Sequence, residues 1–474
     1  MDEHAVKESF VAFCNSQGVA LRAQLARLTR YQVVLEIYNP PVALRMSEVL
    51  ADFKIMIRDR LCYLGKGVIR NIISAGLTQV CDVTLQESAW QDVDVGLLVS
   101  RNGALARQFG DFVAEWQKLY WIAADYKVIV ADMHTFFSEL RLWCEQVELG
   151  IRTSVSIDRS RVEREIAGEL SQVVIPLLNT LFEKFEVIAC KMDQDQAATH
   201  ASYMRRQLHP LVMPAPFAHR TFHKPLGYAG DHEMINMIAR NGFEGDSLFA
   251  KVINRWFIHR PPAIAHRNRL VYLAQKLVDE AARAARSGRR ARFFNLGCGP
   301  AWEIQLFLAN HELSSNTEFL LLDFNEEALQ CVRAAVAEIR QQHSRHAEFK
   351  FVKKSVHQIL KEGAKTPETA NLNKYDLVYC AGLFDYLSDQ VCSRLTNIMY
   401  DLVAPGGLLI VTNVEPANPS RHGMEHLLDW HLNYRRVGDM AALKPSGAST
   451  EETRIYADDT GVNVFLEVRK PAYA

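Results

Sequence analysis

The stretch Arg292-Phe293-Phe294-Asn295-Leu296-Gly297-Cys298-Gly299-Pro300-Ala301-Trp302-Glu303 predicts a short buried strand that passes through a glycine turn into a helix. Glycine at 297 and 299 permits a positive φ and leaves no Cβ between the backbone and a ligand, while the first turn of the helix offers unpaired N–H groups. This is the shape of a nucleotide-binding turn. Two glycines alone are weak grounds, so the next element has to decide.

That element is the strand Glu318-Phe319-Leu320-Leu321-Leu322-Asp323, which ends in a carboxylate about two dozen residues after the first glycine. An acid there can accept both hydroxyls of a ribose. A dinucleotide fingerprint requires a third glycine at 302, and Trp302 argues against NAD. Gly297, Gly299 and Ala301 satisfy a Gly-x-Gly-x-small spacing instead. From Ala291 onward strands and helices alternate: Phe293–Leu296, a helix from Trp302, Phe319–Asp323, a helix from Glu326, Phe349–Val352, Tyr375–Cys380, and Leu408–Asn413 after Ala404-Pro405-Gly406-Gly407. The alternation predicts a parallel, doubly wound α/β sheet. Thr453–Tyr456 and Val462–Val468, separated by 457–461, predict a terminal hairpin that supplies an antiparallel last strand.

Taken in this order, residues from about 290 to 468 resemble class I S-adenosylmethionine-dependent methyltransferases. The resemblance implies a Rossmann-like sheet with an antiparallel last strand, and S-adenosylmethionine as cofactor. It implies that Gly297, Cys298, Gly299, Pro300 and Ala301 wrap the amino-acid end of the cofactor and that Asp323 holds the ribose. Phe324 would lie beside the adenine with Asn325 next to it, and Ser355 and Val356 near the adenine edge. Cys380, Ala381 and Gly382 would face the sulfonium and the acceptor. Asn295 stands where the family usually has an acid that orders the glycine loop, so that contact is expected to be a neutral hydrogen bond.

Methyl transfer from a sulfonium is an in-line displacement, and the protein's task is to align the partners and exclude water. A carboxylate acceptor is already anionic and needs only orientation, whereas a hydroxyl or amine must lose a proton. Candidate catalytic groups are Tyr228, Asp231 and His232 in a glycine-rich loop, Asp385 and Tyr386 after the fourth strand, and His426 and His431 within 421–436. Each alone reads as readily as structural, and Asp231 equally well as the N-cap of a helix. No Asn-Pro-Pro-Tyr follows the fourth strand, which disfavours amino methylation of adenine. Lys224–Asp231, Gly382–Leu387 and Trp430–Arg435 are similar to bacterial methyltransferases identified as making 3-hydroxy fatty acid methyl esters, which act as quorum-sensing signals. This resemblance spans about 215–474 and implies carboxyl O-methylation of a small-molecule, long-chain acid.

The chain of 474 residues calls for two or three domains. With 54 basic and 55 acidic residues its net charge is −1, which leaves no electrostatic footprint for nucleic acid. Nine cysteines without a Cys-x-x-Cys fit reduced thiols rather than disulfides or a zinc site. No apolar run reaches the ~20 residues that span a bilayer, and the N-terminus is acidic rather than signal-like, so a cytoplasmic location is expected.

Residues 1–105 are expected to form a β-rich, barrel-like domain, with strands at Tyr31–Tyr38, Lys66–Ile73 and Val80–Leu85. Asn71, Ser74 and Gly76 are similar to the turn of a PilZ domain, a cyclic di-GMP-binding barrel. The serine is one position off, and Arg22, Arg27 and Arg30 do not form the Arg-x-x-x-Arg that precedes the first strand of that family. These departures favour a degenerate barrel used for contacts. Residues 106–209 are expected to form a helical hairpin. The first seam runs through Phe112, Trp116, Leu119, Ala123, Tyr126, Val130, Met133, Phe137, Leu140, Cys144 and Val147. The second runs through Val162, Ile166, Leu170, Val173, Leu177, Leu181, Phe185 and Ile188, with a kink expected at Pro176. The length of the seam favours a homodimer. Pro210–Pro216 is expected to mark the boundary of the domain 210–474, and Arg283, Arg286, Arg289 and Arg290 to form a solvated helix end.

Two other readings stay open. One is a methyltransferase for a different small molecule or a protein side chain. The other is a regulatory or scaffolding protein in which the cofactor domain is a sensor and the N-terminal half binds a partner.

Overall fold

The computed structural model describes residues 9–38, 42, 44–57, 60–75, 78–91, 109–110, 113–114, 121–153, 158–192, 194–363 and 374–472. The chain divides into two units, Met1–Trp121 and Ile122–Ala474.

In the first unit six antiparallel strands close a barrel in the order β1-β2-β3-β6-β5-β4. They are β1 (Phe10–Cys14), β2 (Ala20–Leu28), β3 (Gln32–Tyr38), β4 (Val49–Ile57), β5 (Arg60–Ala75) and β6 (Thr78–Leu85). Alternate residues such as Val11, Phe13, Leu21 and Ala23 point into the core, the period-two pattern of a sheet with one wet face. Gly67 is required by packing, since a Cβ there would lie 2.6 Å from Val83 and 3.0 Å from Phe53. The Tyr63 hydroxyl donates to the Lys66 carbonyl and accepts the Gln86 N–H, with the Trp90 ring edge-on at 5.4 Å. The three expected strands fall within β3, β5 and β6, while β1, β2 and β4 were not anticipated. Gly76 of the PilZ-like turn lies outside the described residues, and Asn71 lies on β5.

The second unit opens with two long helices, α1 (Ala124–Thr153) and α2 (Arg159–Ala189), followed by α3 (Gln194–Val212), α4 (Pro216–His223), α5 (His232–Arg240), α6 (Leu248–Phe257) and α7 (Pro261–Arg286). Asp158 caps α2 by accepting the Arg161 N–H, and the helix runs on through Pro176. The seam expected on α1 is the buried one from Tyr126 to Cys144, while Phe112, Trp116 and Leu119 lie outside the described residues. On α2 the expected stripe holds at Phe185 and is corrected by one position from Ile166 to Leu181. Ala167, Val174, Leu178, Phe182 and Phe185 are buried, whereas Val173 is 74% exposed.

The long helices do not stand apart from the sheet-bearing half of the chain, because both belong to the unit Ile122–Ala474. Trp256 of α6 meets Phe182 of α2 at 4.5 Å and Phe137 of α1 at 6.3 Å, and its indole N–H donates to Asn179. Nor is 210–216 a linker. Pro210 sits in the last turn of α3, where a proline disrupts little further helix, and Leu211, Val212, Met213 and Ala215 are buried.

The remaining strands form a seven-stranded sheet in the order β12-β13-β11-β10-β7-β8-β9. They are β7 (Ala291–Leu296), β8 (Thr317–Asp323), β9 (Glu348–Lys353), β10 (Tyr375–Cys380), β11 (Val403–Val414), β12 (Thr453–Ala457) and β13 (Asn463–Arg469). Between them run α8 (Trp302–Asn310), α9 (Glu326–Gln342), α10 (Val356–Gly363), α11 (Asp389–Leu402), α12 (Arg421–Leu428) and α13 (Val437–Ala441). β7 pairs in parallel with β8 and β10, as β8 does with β9 and β10 with β11, and β13 runs antiparallel between β11 and β12. This is the α/β sheet with an antiparallel last strand. Neighbours on β7 serve opposite faces: Phe293 joins the core under α7 and α8, and Phe294 the core that includes Met399 and Val464.

Of the arginines at the end of α7, Arg286, Arg289 and Arg290 are exposed, as expected of a solvated end, but two of the cluster also reach a buried acid. Arg283 donates to the carboxylate of Asp376, which is 1% exposed, at 2.8 Å, Arg289 donates to both of its oxygens, and the Arg292 N–H adds a fourth bond. No helix among the described residues is long and apolar enough to cross a membrane.

Candidate active site

The chain leaves β7 at Leu296 and turns through Gly297 (φ 70°), Gly299 (φ 51°) and Ala301 (φ 50°) before α8 begins. Three consecutive alternate residues in the left-handed region explain two of the glycines; Ala301, buried at the helix start, bears the cost of a Cβ there, roughly 1 kcal/mol. The turn is tied to the next strand, since the N–H groups of Gly297 and Cys298 donate to the Leu322 carbonyl and that of Gly299 to Asp323 Oδ2 at 3.0 Å. Asp323 Oδ1 accepts the Asn325 N–H at 2.9 Å. Burial pushes the Asp323 carboxyl above its usual range while these backbone donors pull it back.

A cavity of about 470 Å³ opens at this turn. Of the residues singled out in the sequence, Gly297, Gly299, Asp323, Phe324, Val356, Ala381, Gly382, Tyr228, His232, Asp385 and Tyr386 line it. The cavity continues into a chamber walled by Phe217, Trp256, Phe257, Leu427, Leu428 and Trp430, so most of its wall is apolar.

The others stand elsewhere. Asn295 is buried below the turn, where its amide donates to Glu303 Oε1 at 3.1 Å. Cys298 and Cys380 pack in the hydrophobic cores on the two faces of the sheet. The Pro300 carbonyl accepts the Gln305 side chain. Asn325 caps α9, and Ser355 closes a turn with Gln358 before α10. Asp231 is fully buried and occupied: it caps α5 through Glu233 and Met234 and forms an ion pair with Arg220 at 2.8 Å. His431 is exposed beside Asp429, and His426 is buried with its Nδ1 2.9 Å from the Tyr126 hydroxyl. Burial holds the His426 imidazole down at about 3, so it stays neutral.

The loop between α4 and α5 covers one side of the cavity. Lys224 (φ 48°) ends α4, and its ammonium donates to the carbonyl and carboxylate of Asp429, which Arg205 also binds. Tyr228 lies 5.4 Å from the Phe324 ring, centroid to centroid. Gly230 allows a close approach, since a Cβ there would be 2.6 Å from the Tyr386 hydroxyl. That hydroxyl also accepts the Trp430 indole N–H at 3.1 Å. Burial raises both the Tyr228 and the Tyr386 phenol above the usual range, so neither ionises near neutral pH. Asp385 Oδ1 accepts the Val414 N–H at 2.7 Å, and burial lifts its carboxyl to about 6.

Among the cavity residues that the sequence reading does not single out are His266 and Arg269 on α7. Their signal is a polar pair three residues apart in a helix stripe that otherwise buries Ala263, Leu270 and Leu273. A polar pair on a helix reads by default as a wet face, which hid it.

The cradle suits a nucleoside with an amino-acid tail. Its glycines leave room at the turn, Asp323 keeps lone pairs at the rim, and the exposed ring of Phe324 offers a flat face. Residues 294–409 match the family model described as a methyltransferase domain. No curated protein matches the chain at a significant level. Similar solved structures include a possible exported protein from Bordetella parapertussis, at 15% identity over 64% of this chain and 97% of that one, TM-score 0.38. Magnesium protoporphyrin IX methyltransferase from Synechocystis, with bound S-adenosylhomocysteine, is 14% identical over 44% of this chain and 84% of its own, TM-score 0.31. The N-methyltransferase NodS from Bradyrhizobium japonicum, also in complex with S-adenosylhomocysteine, is 15% identical over 44% and 88%, TM-score 0.28. The family match over residues 294–409, with the sheet order and the antiparallel last strand, marks a methyltransferase domain within the second unit.

Proposed function

We propose that the domain methylates the carboxylate of a long-chain 3-hydroxy acid, releasing a methyl ester that can serve as a signal. The observation that carries this reading is the apolar chamber that continues from the glycine turn, walled by Phe217, Trp256, Phe257 and Leu427, which suits an acyl chain. The groups near its polar end support an acceptor that arrives already anionic. The Tyr228 and Tyr386 phenols are held protonated, and Asp385 is engaged with Val414.

On this reading Gly297 to Ala301, with Asn295 and Cys298 beneath them, shape the pocket for the amino-acid end of S-adenosylmethionine. Asp323 takes the ribose hydroxyls, and Phe324 and Val356 flank the adenine, while Asn325 and Ser355 support them from outside the cavity as the cap of α9 and the turn into α10. Ala381 and Gly382 form the floor beside the sulfur, with Cys380 packed in the core behind them. The bound cofactor supplies an electrophilic methyl group on a positively charged sulfur. The chain's own residues do the rest: Tyr228, Gly230, Tyr386 and Trp430 close the cavity against water, and the apolar wall fixes the acyl chain so that a carboxylate oxygen points along the reaction axis. His232 and Asp385 orient groups at the polar end; Asp231 and His431 act from outside the cavity by holding the covering loop.

The test is mass spectrometry of extracts after purified protein is mixed with S-adenosylmethionine and 3-hydroxy acids of graded chain length. A methyl ester is expected, and its absence across the series rejects the acceptor. A homodimer is part of the proposal, supported by the exposed Val173, Leu177 and Val187 at near-heptad intervals on α2.

A further inference from the structure

Arg269 and His266 face the cavity from α7, one helical turn apart, and their hydrogen bonding leaves a definite surplus. Arg269 Nη2 stands 2.7 Å from His266 Nδ1. A guanidinium has donors and no acceptor, so Nδ1 accepts and the imidazole proton sits on Nε2. His266 Nε2 is buried and has no partner, and neither has Arg269 Nε. Arg269 is 7% exposed, and among the described residues no carboxylate stands within ion-pair distance of it, although Asp385 and Glu303 are close enough to act on its charge. Burial with the neighbouring arginines keeps the His266 imidazole neutral, consistent with that tautomer. A buried N–H donor without an acceptor is costly, on the order of 1–3 kcal/mol, unless a ligand in the cavity accepts from it. Gly382, just after β10, borders the guanidinium in the cavity wall: a Cβ there would lie 3.2 Å from Arg269 Nη2.

We propose that Arg269 forms a carboxylate-binding site inside the cavity, its guanidinium giving charge and donors, with His266 as the positioning residue that holds it through Nδ1. The inference rests on the reading of this cavity as the place where methyl donor and acceptor meet. Two carboxylates reach such a site, that of the acceptor acid and that of the amino-acid end of the donor, and both are the same chemistry to Arg269.

Calorimetry on the full chain separates them. S-adenosylhomocysteine is compared with methylthioadenosine, which lacks the amino-acid end, and 3-hydroxyhexadecanoate with its methyl ester. Each is titrated into the parent, Arg269→Gln, Arg269→Lys and His266→Ala. Arg269→Gln is expected to weaken one carboxylate ligand at least tenfold, to leave the neutral analogue of that ligand within about twofold, and to be partly rescued in Arg269→Lys. His266→Ala should weaken the same ligand by a smaller factor. If the affected ligand is S-adenosylhomocysteine, the site belongs to the donor; if it is the hydroxy acid, it belongs to the acceptor. Equal weakening of the neutral analogue would mean a structural arginine and would overturn the proposal, as would unchanged affinity for both acids. His266→Ala keeps the test open should Arg269→Gln not fold. A response to S-adenosylhomocysteine with no ester formed from any acid would leave this site standing and reject the acceptor proposed above.

Discussion

Asn295 donates its side-chain amide to Glu303 Oε1 at 3.1 Å, across the glycine turn from the end of β7 to the first turn of α8. The carboxylate absent from the end of the strand is therefore supplied from the helix, and the Tyr379 hydroxyl completes it with a bond to the same oxygen at 2.7 Å. Burial pushes the Glu303 carboxyl above its usual range, with Tyr379 opposing the shift. A second acid at 295 would put two carboxyls against each other in a dry site. Asn295→Asp is accordingly expected to destabilise the fold by about 3 kcal/mol and to weaken S-adenosylhomocysteine binding. Urea unfolding and calorimetry measure both, and pairing the change with Glu303→Gln should recover most of the loss. Equal or greater stability of Asn295→Asp alone would refute the exchange of roles.

Gly230 sits where a Cβ would be 2.6 Å from the Tyr386 hydroxyl, which Trp430 holds in place. Neither ring can retreat easily, so Gly230→Ala must push the covering loop, and Tyr228 with it, away from Phe324. A shift of about 1 Å near the reacting atoms can cost a hundredfold, and a fall of that order in kcat/KM is expected once an acceptor is in hand. Tyr386→Phe, which removes the obstructing oxygen, should restore part of the activity of Gly230→Ala. Without that relief, the loss would have another cause.

Asp385 is the buried acid whose titration falls in an accessible range. Burial lifts its carboxyl from 3.8 to about 6, against the pull of Arg269. A folded-state value above the unfolded one means that the folded chain holds its proton longer. The group's contribution to stability is then fully present below about 3.8 and is lost as pH rises through about 6. Asp385→Asn keeps the acceptor for Val414 and removes the titration. The stability of the variant relative to the parent should rise between pH 4 and pH 7, measured by urea unfolding at several values. A difference that is flat with pH would rule out this origin.

How much of this was legible depended on how many ways a pattern can be satisfied. The sheet was legible because each strand from Phe293 to Val468 is a short apolar run set between turns or helices, and because Gly297, Gly299 and Asp323 fall at the ends of strands. The covering elements were harder. In the sequence Asp231 reads equally as a cap and as a catalytic group, and the structure commits it to the cap and Arg220. Cys380 ends the right strand but points into the core, since strand residues alternate faces and the sequence does not say which face is which. His266 and Arg269 were invisible because a polar helix pair normally faces water; only the packing of α7 over the end of β10 turns it inward.

The one-position correction on α2 makes the last of these ambiguities testable. That helix carries apolar neighbours in pairs, Val173 with Val174, Leu177 with Leu178, Leu181 with Phe182, so two stripes a residue apart fit the helical period equally well. Packing chooses the second: Val174 is 6% exposed and Leu178 fully buried, while Val173 is 74% and Leu177 45% exposed. Val174→Asp would place an unpaired carboxylate in that core and should cost about 3 kcal/mol or more, seen as a lower urea midpoint. Val173→Asp changes a side chain already in water and should leave the unfolding free energy of the monomer within about 0.5 kcal/mol. If the exposed stripe pairs two copies, the same Val173→Asp protein will run as a monomer in light scattering while the parent runs as a dimer. Val173→Asp unfolding as readily as Val174→Asp would show that both stripes are packed and would overturn the assignment of the buried face.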